Sequence, residues 1–388
     1  MNKSFVGLAA IAIVVAYLIY SLILNPIRYG SSNPFSQLHD LISLSRHTTH
    51  TSPDKDLPDP YKNKNNEAPQ VTVFYGTNRK STDQACSFGA ERSKHNVITY
   101  GSCTISIPPD HRMGVIEAPS MLWGKERPEK HVMLVSGQSL NRSEFRAMVS
   151  NLSKDSGASL VFVHGYNVPF LDAAKRTAQM TYDLKFQGAP VFFSWPSAGS
   201  EGAYMADEAT VEWSYPSLYT FLKDLLDDEN TRNVYLIGHS MGTRALTHAL
   251  TRLYTEQPKL AEKLREVILA APDIDAATFI DNIAPSIVKK GAPVTLYASS
   301  NDRALQASKT FHSFRRAGDF ATPVTLIDGV ELIDASPIKT DFIAHSYYGD
   351  SSSIIADIYE TLQGKRPSHR FNLTTIKVSE GSYWRVRN

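Results

Sequence analysis

The stretch Asn233-Val-Tyr-Leu-Ile-Gly-His-Ser-Met-Gly-Thr-Arg-Ala-Leu246 decides how the rest of the chain is read. Val234 to Ile237 is a short apolar run with the β-branched and aromatic content of a buried strand. From Thr243 onward, Ala245, Leu246, Ala249, Leu250 and Leu253 recur at helical spacing. Between them Gly238-His239-Ser240-Met241-Gly242 fits G-x-S-x-G, and strand, glycine-flanked serine and helix form the context of a nucleophile elbow. The glycines have a steric reason. A turn this sharp forces the serine into strained dihedrals, and side chains on either side would strike the neighbouring strand and helix. The Ser240 hydroxyl then stands at the carboxyl end of a sheet, with a helix N-terminus behind it to favour developing negative charge. The plainer alternative is a tight strand-to-helix turn with a solvated serine.

Outward from the elbow, apolar strands alternate with helices. The pattern predicts strands at Val71–Tyr75, Tyr100–Ile107, Val132–Val135, Leu160–Val163, Val191–Ser194, Val267–Ala270, Val294–Ala298 and Val324–Ile327. Helices are predicted at Ser143–Lys154, Phe170–Lys185, Tyr215–Leu226, Ala276–Val288, Ala304–Arg315 and Ser352–Leu362. Such alternation implies an α/β fold with a mostly parallel central sheet and helices on both faces. Ligands of these sheets sit outside the carboxyl ends of the strands.

The chemically interesting residues fall at those ends. Beside Ser240, an oxyanion hole needs two backbone N–H groups, one of them from Met241. Leu160-Val-Phe-Val-His-Gly-Tyr-Asn167 runs a strand into His-Gly, so the amide of Tyr166 or Asn167 is the second candidate. His164, inside that loop, is read as structural rather than as a general base. Two carboxylates compete for the acid of a triad, Asp302 in Tyr297-Ala-Ser-Ser-Asn-Asp302 and Asp273 in Ala271-Pro-Asp-Ile-Asp275. Asp302 is preferred because the strand after next is the usual source in this architecture. His345 in Asp341-Phe-Ile-Ala-His-Ser-Tyr347 is the candidate base, with His312 and His248 as helical alternatives. Trp195, Tyr204 and Trp213 follow the strand ending at Ser194; Trp195, with Asn167, is the candidate for lining a substrate pocket, although such aromatics are more often core.

These motifs, with Phe74-Tyr-Gly-Thr-Asn-Arg79, Ser106-Ile-Pro-Pro109, Ser194-Trp-Pro-Ser197 and His345-Ser-Tyr-Tyr348, resemble the α/β-hydrolase superfamily. Within it they look like a bacterial family of uncharacterised esterase/lipase-type serine hydrolases. The likeness covers Val71 to Tyr348. It implies an α/β-hydrolase fold, serine-dependent hydrolysis and no metal or cofactor, and the chain order Ser240, Asp302, His345 is the one expected of that fold; the likeness supplies no substrate, and a small-molecule or lipid ester is the expected class. A serine nucleophile argues against the dehalogenase chemistry that this fold performs with a carboxylate. The rival class is a non-catalytic, membrane-tethered binding or scaffold protein that keeps the fold.

The two ends lie outside this likeness. Phe5 to Leu24 carries no charge, and twelve of its twenty residues are Val, Ile, Leu or Phe. Twenty helical residues span about 30 Å, and those twelve favour insertion by about 4–7 kcal/mol. The run reads as an uncleaved, single-pass transmembrane anchor with the catalytic domain periplasmic or otherwise extracytoplasmic. Residues 25–69 are polar and read as a flexible spacer. The domain proper is then 70–365. Residues 366–388 read as a β-hairpin turning at Gly381, with Leu373, Ile376, Val378 and Trp384 buried against the domain, or as a tail. Cys86 and Cys103 either pair, in an oxidising compartment, or are unrelated buried thiols. The whole chain of 388 residues has 40 basic and 39 acidic side chains, a net charge of +1, which argues against nucleic acid as a partner.

Overall fold

The computed structural model describes residues 68–119, 125–288, 291–338, 349 and 351–387, all within one unit, Asp59–Asn388. Inner strands feed two cores at once, because successive side chains point to opposite faces. In β4 (Ala158–Val163), Leu160 and Phe162 enter one core while Val161 and Val163 enter the other. The same split runs through β5 (Ala189–Ser194), where Phe192 opposes Val191 and Phe193. Strands apolar on both faces require cover on both faces.

That cover is helical. On one face lie α1 (Arg142–Ser153), α4 (Tyr215–Leu226) and α5 (Gly242–Glu256), supplying Phe145, Phe221, Leu246 and Ala249. The other face carries α2 (Phe170–Asp183) and α7 (Ser352–Leu362), with Phe170, Ala174, Ile354 and Ile358. Two further helices, α3 (Tyr204–Trp213) and α6 (Arg303–His312), follow strand ends near the elbow.

The strands form an 11-stranded sheet in the order β10-β11-β9-β8-β7-β6-β4-β5-β1-β2-β3, with Val294–Ala298 as β8. From β11 (Gly381–Val386) to β1 (Gln70–Thr77) every neighbouring pair is parallel. The antiparallel partners sit at the edges: β2 (Thr99–Ser106) and β3 (Met133–Leu140) at one, β10 (Leu373–Val378) at the other. At the centre lies β6 (Asn233–His239), flanked by β4 and β7 (Leu264–Ala270), so the elbow opens over the middle of the sheet.

Three expectations are refined. The last inner strand is β9 (Val330–Asp334), not Val324–Ile327. Gly329 turns the chain at φ +75°, and Val324 and Ile327 instead wall a pocket with Phe279 and Phe320. The helix predicted from Ala276 to Val288 is broken by a π-helical stretch, Phe279–Ile283. The carboxyl-terminal hairpin does join the sheet, with Trp384 opposite Ile333 of β9 and Gly381 at φ +147°. Its buried contacts are Leu373, Tyr383 and Val386, whereas Ile376 and Trp384 are half-buried and Val378 is exposed.

Cys86 and Cys103 are joined by a disulfide bond. Among the described residues no helix is long and apolar enough to cross a membrane; the run Phe5–Leu24 and the spacer to residue 67 lie outside them.

Candidate active site

Ser240 occupies a left-handed conformation, φ 51°, between β6 and α5. A non-glycine residue persists there only when its surroundings over-determine it. They do. The Ser240 amide donates to Ala270 O at 2.9 Å, and its carbonyl accepts from Thr243 N at 3.0 Å, Thr243 Oγ1 at 2.5 Å and Asp273 N at 3.3 Å. Gly242 must stay bare, since a Cβ would lie 2.1 Å from His164 O. The Met241 amide, at the N-cap of α5, belongs to the helix-end donors without an intrahelical acceptor.

The loop after β4 is pressed against this turn. A Cβ on Gly165 would sit 2.8 Å from Ser240 Cβ, so the His164–Asn167 backbone passes directly beside the serine. A buried relay fixes that loop. Arg79 Nε donates to Ser194 Oγ at 2.9 Å, and Ser194 Oγ lies 3.1 Å from His164 Nε2. His164 Nδ1 lies 2.8 Å from Gly165 O. Arginine only donates, so the serine hydroxyl passes its proton's bond to Nε2, and Nδ1–H donates to the carbonyl. His164 is thus a neutral imidazole in one tautomer, its pKa pushed down to about 3 by burial and by Arg79. This is the structural histidine expected from sequence.

A second tie comes from α3. The buried Asp207 carboxylate accepts from Asn167 N at 3.2 Å, Ser197 Oγ at 2.6 Å and Ala198 N at 2.7 Å. Asn167, itself left-handed at φ 58°, therefore has its amide committed to Asp207, which leaves Tyr166 as the loop's candidate oxyanion donor. The Tyr166 hydroxyl donates to Ser200 O at 3.1 Å. Trp195, expected to line a pocket, is instead fully buried; its indole N–H donates to His164 O at 2.8 Å and its ring stacks on the imidazole at 5.1 Å. It supports the loop from behind and has no surface to offer a substrate.

The two candidate acids differ in how they are engaged. Asp273 is saturated: Oδ1 accepts from Ser308 Oγ and Arg316 Nε, both at 2.7 Å, and Oδ2 from Tyr204 at 2.5 Å and Arg244 Nη2 at 3.4 Å. Burial would raise its pKa, but Arg244 and Arg316 outweigh that and hold it below the usual carboxylate range. Asp302, equally buried, caps α6 by accepting from Leu305 N at 3.0 Å. His345 lies outside the described residues. The alternatives His248 and His312 line a groove of about 590 Å³ along α5, together with Glu208, Tyr215, Arg244 and Arg316. His248 stacks on Tyr215 at 4.5 Å, and His312 sits 2.9 Å from Glu208.

Sequence reasoning missed the ties rather than the candidates. Arg79, Ser194 and Asp207 come from three elements, and no local spacing announces that they meet. Arg79 carried one signal, its place directly after the first strand in the motif Gly76-Thr-Asn-Arg79.

A family model described as alpha/beta hydrolase of unknown function (DUF900) matches residues 141–366. No match to the chain was found among curated proteins. Solved structures similar to it include a predicted CIB-like hydrolase from Thermoplasma acidophilum, at 14% identity over 69% of this chain and 94% of that one, TM-score 0.33. A lipase-esterase related protein from Clostridium acetobutylicum is similar at 13% identity over 55% and 96%, TM-score 0.33. Carboxylesterase CesB (YbfK) from Bacillus subtilis is similar at 12% identity over 77% and 93%, TM-score 0.30.

Proposed function

The chain belongs to this family of alpha/beta hydrolases of unknown function, and on that premise we propose that it is a membrane-anchored serine hydrolase acting on acyl esters through an acyl-enzyme. The observation that carries the reading is Ser240 itself, held at φ 51° by four backbone-directed hydrogen bonds with the Gly165 backbone against its Cβ.

In this reading His345 takes the proton of the Ser240 hydroxyl as Oγ attacks the ester carbonyl carbon. The amides of Met241 and Tyr166 donate to the oxyanion that forms. Collapse breaks the acyl C–O bond, and the alcohol leaves with the proton from His345. Water, deprotonated by the same histidine, then attacks the acyl-enzyme and releases the acid. Asp302 orients the imidazole and stabilises its charged form. Its selection over Asp273 is supported by the four donors that already occupy Asp273.

The membrane anchor and an extracytoplasmic domain belong to the same proposal. The apolar run Phe5–Leu24 supports the first, and the Cys86–Cys103 disulfide, a bond that persists in oxidising compartments, supports the second. The test is labelling with a fluorophosphonate, followed by turnover of ester, thioester and amide substrates. Wild type should label and Ser240→Ala should not, with kcat lowered roughly 10⁴–10⁶-fold. A Ser240→Ala variant retaining a tenth of wild-type activity removes the assignment. A wild-type chain that neither labels nor turns over any substrate leaves the scaffold reading standing.

A further inference from the structure

Two large apolar side chains exceed all others in exposure among the described residues, Met205 at 65% and Phe314 at 67%. Single exposed apolar residues are ordinary on a protein surface, so the argument rests on where these two stand. Met205 lies in the first turn of α3, next to Tyr204, whose ring meets Tyr166 of the oxyanion loop at 5.3 Å. Phe314 follows α6, the helix that Asp302 begins, and His312 two residues before it meets the Tyr204 ring at 5.7 Å.

The chain beyond Phe314 stays at the carboxyl edge of the sheet. Ala317 N donates to Ile274 O at 2.8 Å, Gly318 N to Pro272 O at 2.9 Å, and Ser299 N to Gly318 O at 3.0 Å. Pro272 and Ile274 follow the end of β7, and Ser299 follows that of β8 (Val294–Ala298). Hence α6 crosses this edge instead of returning along a strand, and Phe314 is carried at the same end of the sheet as Ser240. In the chain around Met205, the small residues Ala198, Gly199, Ser200, Gly202 and Ala206 are exposed.

Several charges near this rim are paired, although Arg315, next to Phe314, is in no ion pair among the described residues. Glu208 accepts from Arg244 at 2.5 Å and lies 2.9 Å from His312, and Arg316 is held by Asp273. A surface apolar at its tips and largely paired behind them suits a zwitterionic bilayer rather than a highly charged protein or polymer. The sequence puts a bilayer within reach. Phe5–Leu24 is a membrane-spanning length of apolar chain, about 45 residues ahead of the first strand in sequence.

We propose that Met205 and Phe314 form an interfacial rim that rests on the membrane surface, so that the hydrolase draws long-chain acyl esters directly from the bilayer. The proposal rests on the serine-hydrolase reading above and names its substrate class. It makes bilayer contact a property of the mouth, separate from the tether.

The test uses the full chain reconstituted in phosphatidylcholine vesicles, with two substrates: a long-chain fluorogenic acyl ester dissolved in the bilayer and a short-chain ester dissolved in water. The double variant Met205→Ser/Phe314→Ser should lose about 10-fold or more in kcat/KM on the bilayer ester while changing less than about 2-fold on the soluble one. Equal losses on both substrates, or none on either, overturn the proposal. A Phe314→Trp variant should add tryptophan emission that brominated phosphatidylcholine quenches beyond the wild-type level; unquenched emission overturns it as well. The two readings fail separately. An enzyme that labels with fluorophosphonate and cleaves the soluble ester, yet is indifferent to both variants, sinks the rim alone. A chain that neither labels nor turns over removes the hydrolase reading and the rim with it.

Discussion

Replacing Asp207 by alanine isolates what holds the His164–Asn167 loop, the proposed source of an oxyanion donor, in place. The carboxylate is 1% exposed and takes three donors, the Asn167 and Ala198 amides and the Ser197 hydroxyl. It also lies in the field of Arg79, whose own pKa is pushed down to about 9 by burial, with Asp207 opposing that shift. Removing it leaves the buried Ser197 hydroxyl and the part-buried Asn167 and Ala198 amides without this acceptor, and takes a counter-charge from a buried cation. Hydrogen bonds to charged groups contribute about 1.5–3 kcal/mol each and do not add, and Arg79, which Asp207 influences only through space, loses that attraction as well. A total near 4–5 kcal/mol is therefore expected, which for a domain of this size lowers the melting temperature by roughly 6–8 °C. The functional effect is separate. With Asn167 released, the Tyr166 amide one residue earlier loses its aim, and losing one oxyanion donor costs about 10²–10³ in kcat. The assay is kcat and KM on a soluble ester at a temperature where circular dichroism shows the variant folded. The loss should fall on kcat with KM nearly unchanged, and Asp207→Asn, which keeps the shape and one acceptor, should recover part of it. An alanine variant that melts lower but keeps kcat within about 3-fold would refute the reasoning, because the loop would then be held without this tie.

Three further outcomes follow from the geometry. Asp302→Asn should reduce turnover by about 10⁴ with little change in melting temperature, because asparagine also caps a helix; Asp273→Asn should destabilise by about 3–5 kcal/mol by leaving Arg244 and Arg316 short of a charge, and a reversal of the two patterns would move the acid one strand earlier. Glu266 on β7 has its pKa raised from 4.5 to about 8, chiefly by burial, so the folded state binds a proton that the unfolded state has released between those values; its contribution is complete below pH 4.5 and is lost as pH rises towards 8. Glu266→Gln should therefore gain on wild type by about 1.4 kcal/mol per pH unit across that window, reaching about 3–5 kcal/mol, and urea midpoints showing a pH-independent difference would count against it. Arg370→Met should destabilise by about 3–5 kcal/mol, since Arg370 lies 3.0 Å from Glu331 and 3.5 Å from buried Asp357; a melting shift below about 2 °C would mean that this cluster does not secure the carboxyl-terminal strands.

The legible parts of this fold are those whose physics is local. The run Val234–Ile237 followed by Gly-x-Ser-x-Gly names strand, turn and helix because each constraint acts within a few residues. Helix α3 was not legible, and its buried face explains why. Asp207, Thr210 and Val211 point inward, so the helix carries no apolar stripe to read. Trp195 misled for a related reason: an aromatic after a strand end fits a pocket as well as a core, and only the His164 carbonyl it reaches decides between them. Val324–Ile327 has strand-like apolarity, yet the turn at Gly329 delays the strand to Val330. Asp273 and Asp302 looked alike in sequence. What separates them is the set of donors that α3, α5 and α6 bring to Asp273, a long-range fact with no spacing of its own.

The relay from Arg79 through Ser194 to His164 has a consequence for how the enzyme's acidity should be read. A histidine beside the proposed nucleophile Ser240 would ordinarily add its own ionisation to the activity curve, since an imidazole changes charge between pH 5 and 8. Here the ring is already spoken for on both nitrogens, and its proton affinity has been driven to about 3. Across the mildly acidic range the His164–Asn167 loop, proposed to carry an oxyanion donor, gains no charge from His164. The acid limb of kcat/KM should then follow a single proton, with unit slope on a logarithmic plot, and that proton belongs to the base alone.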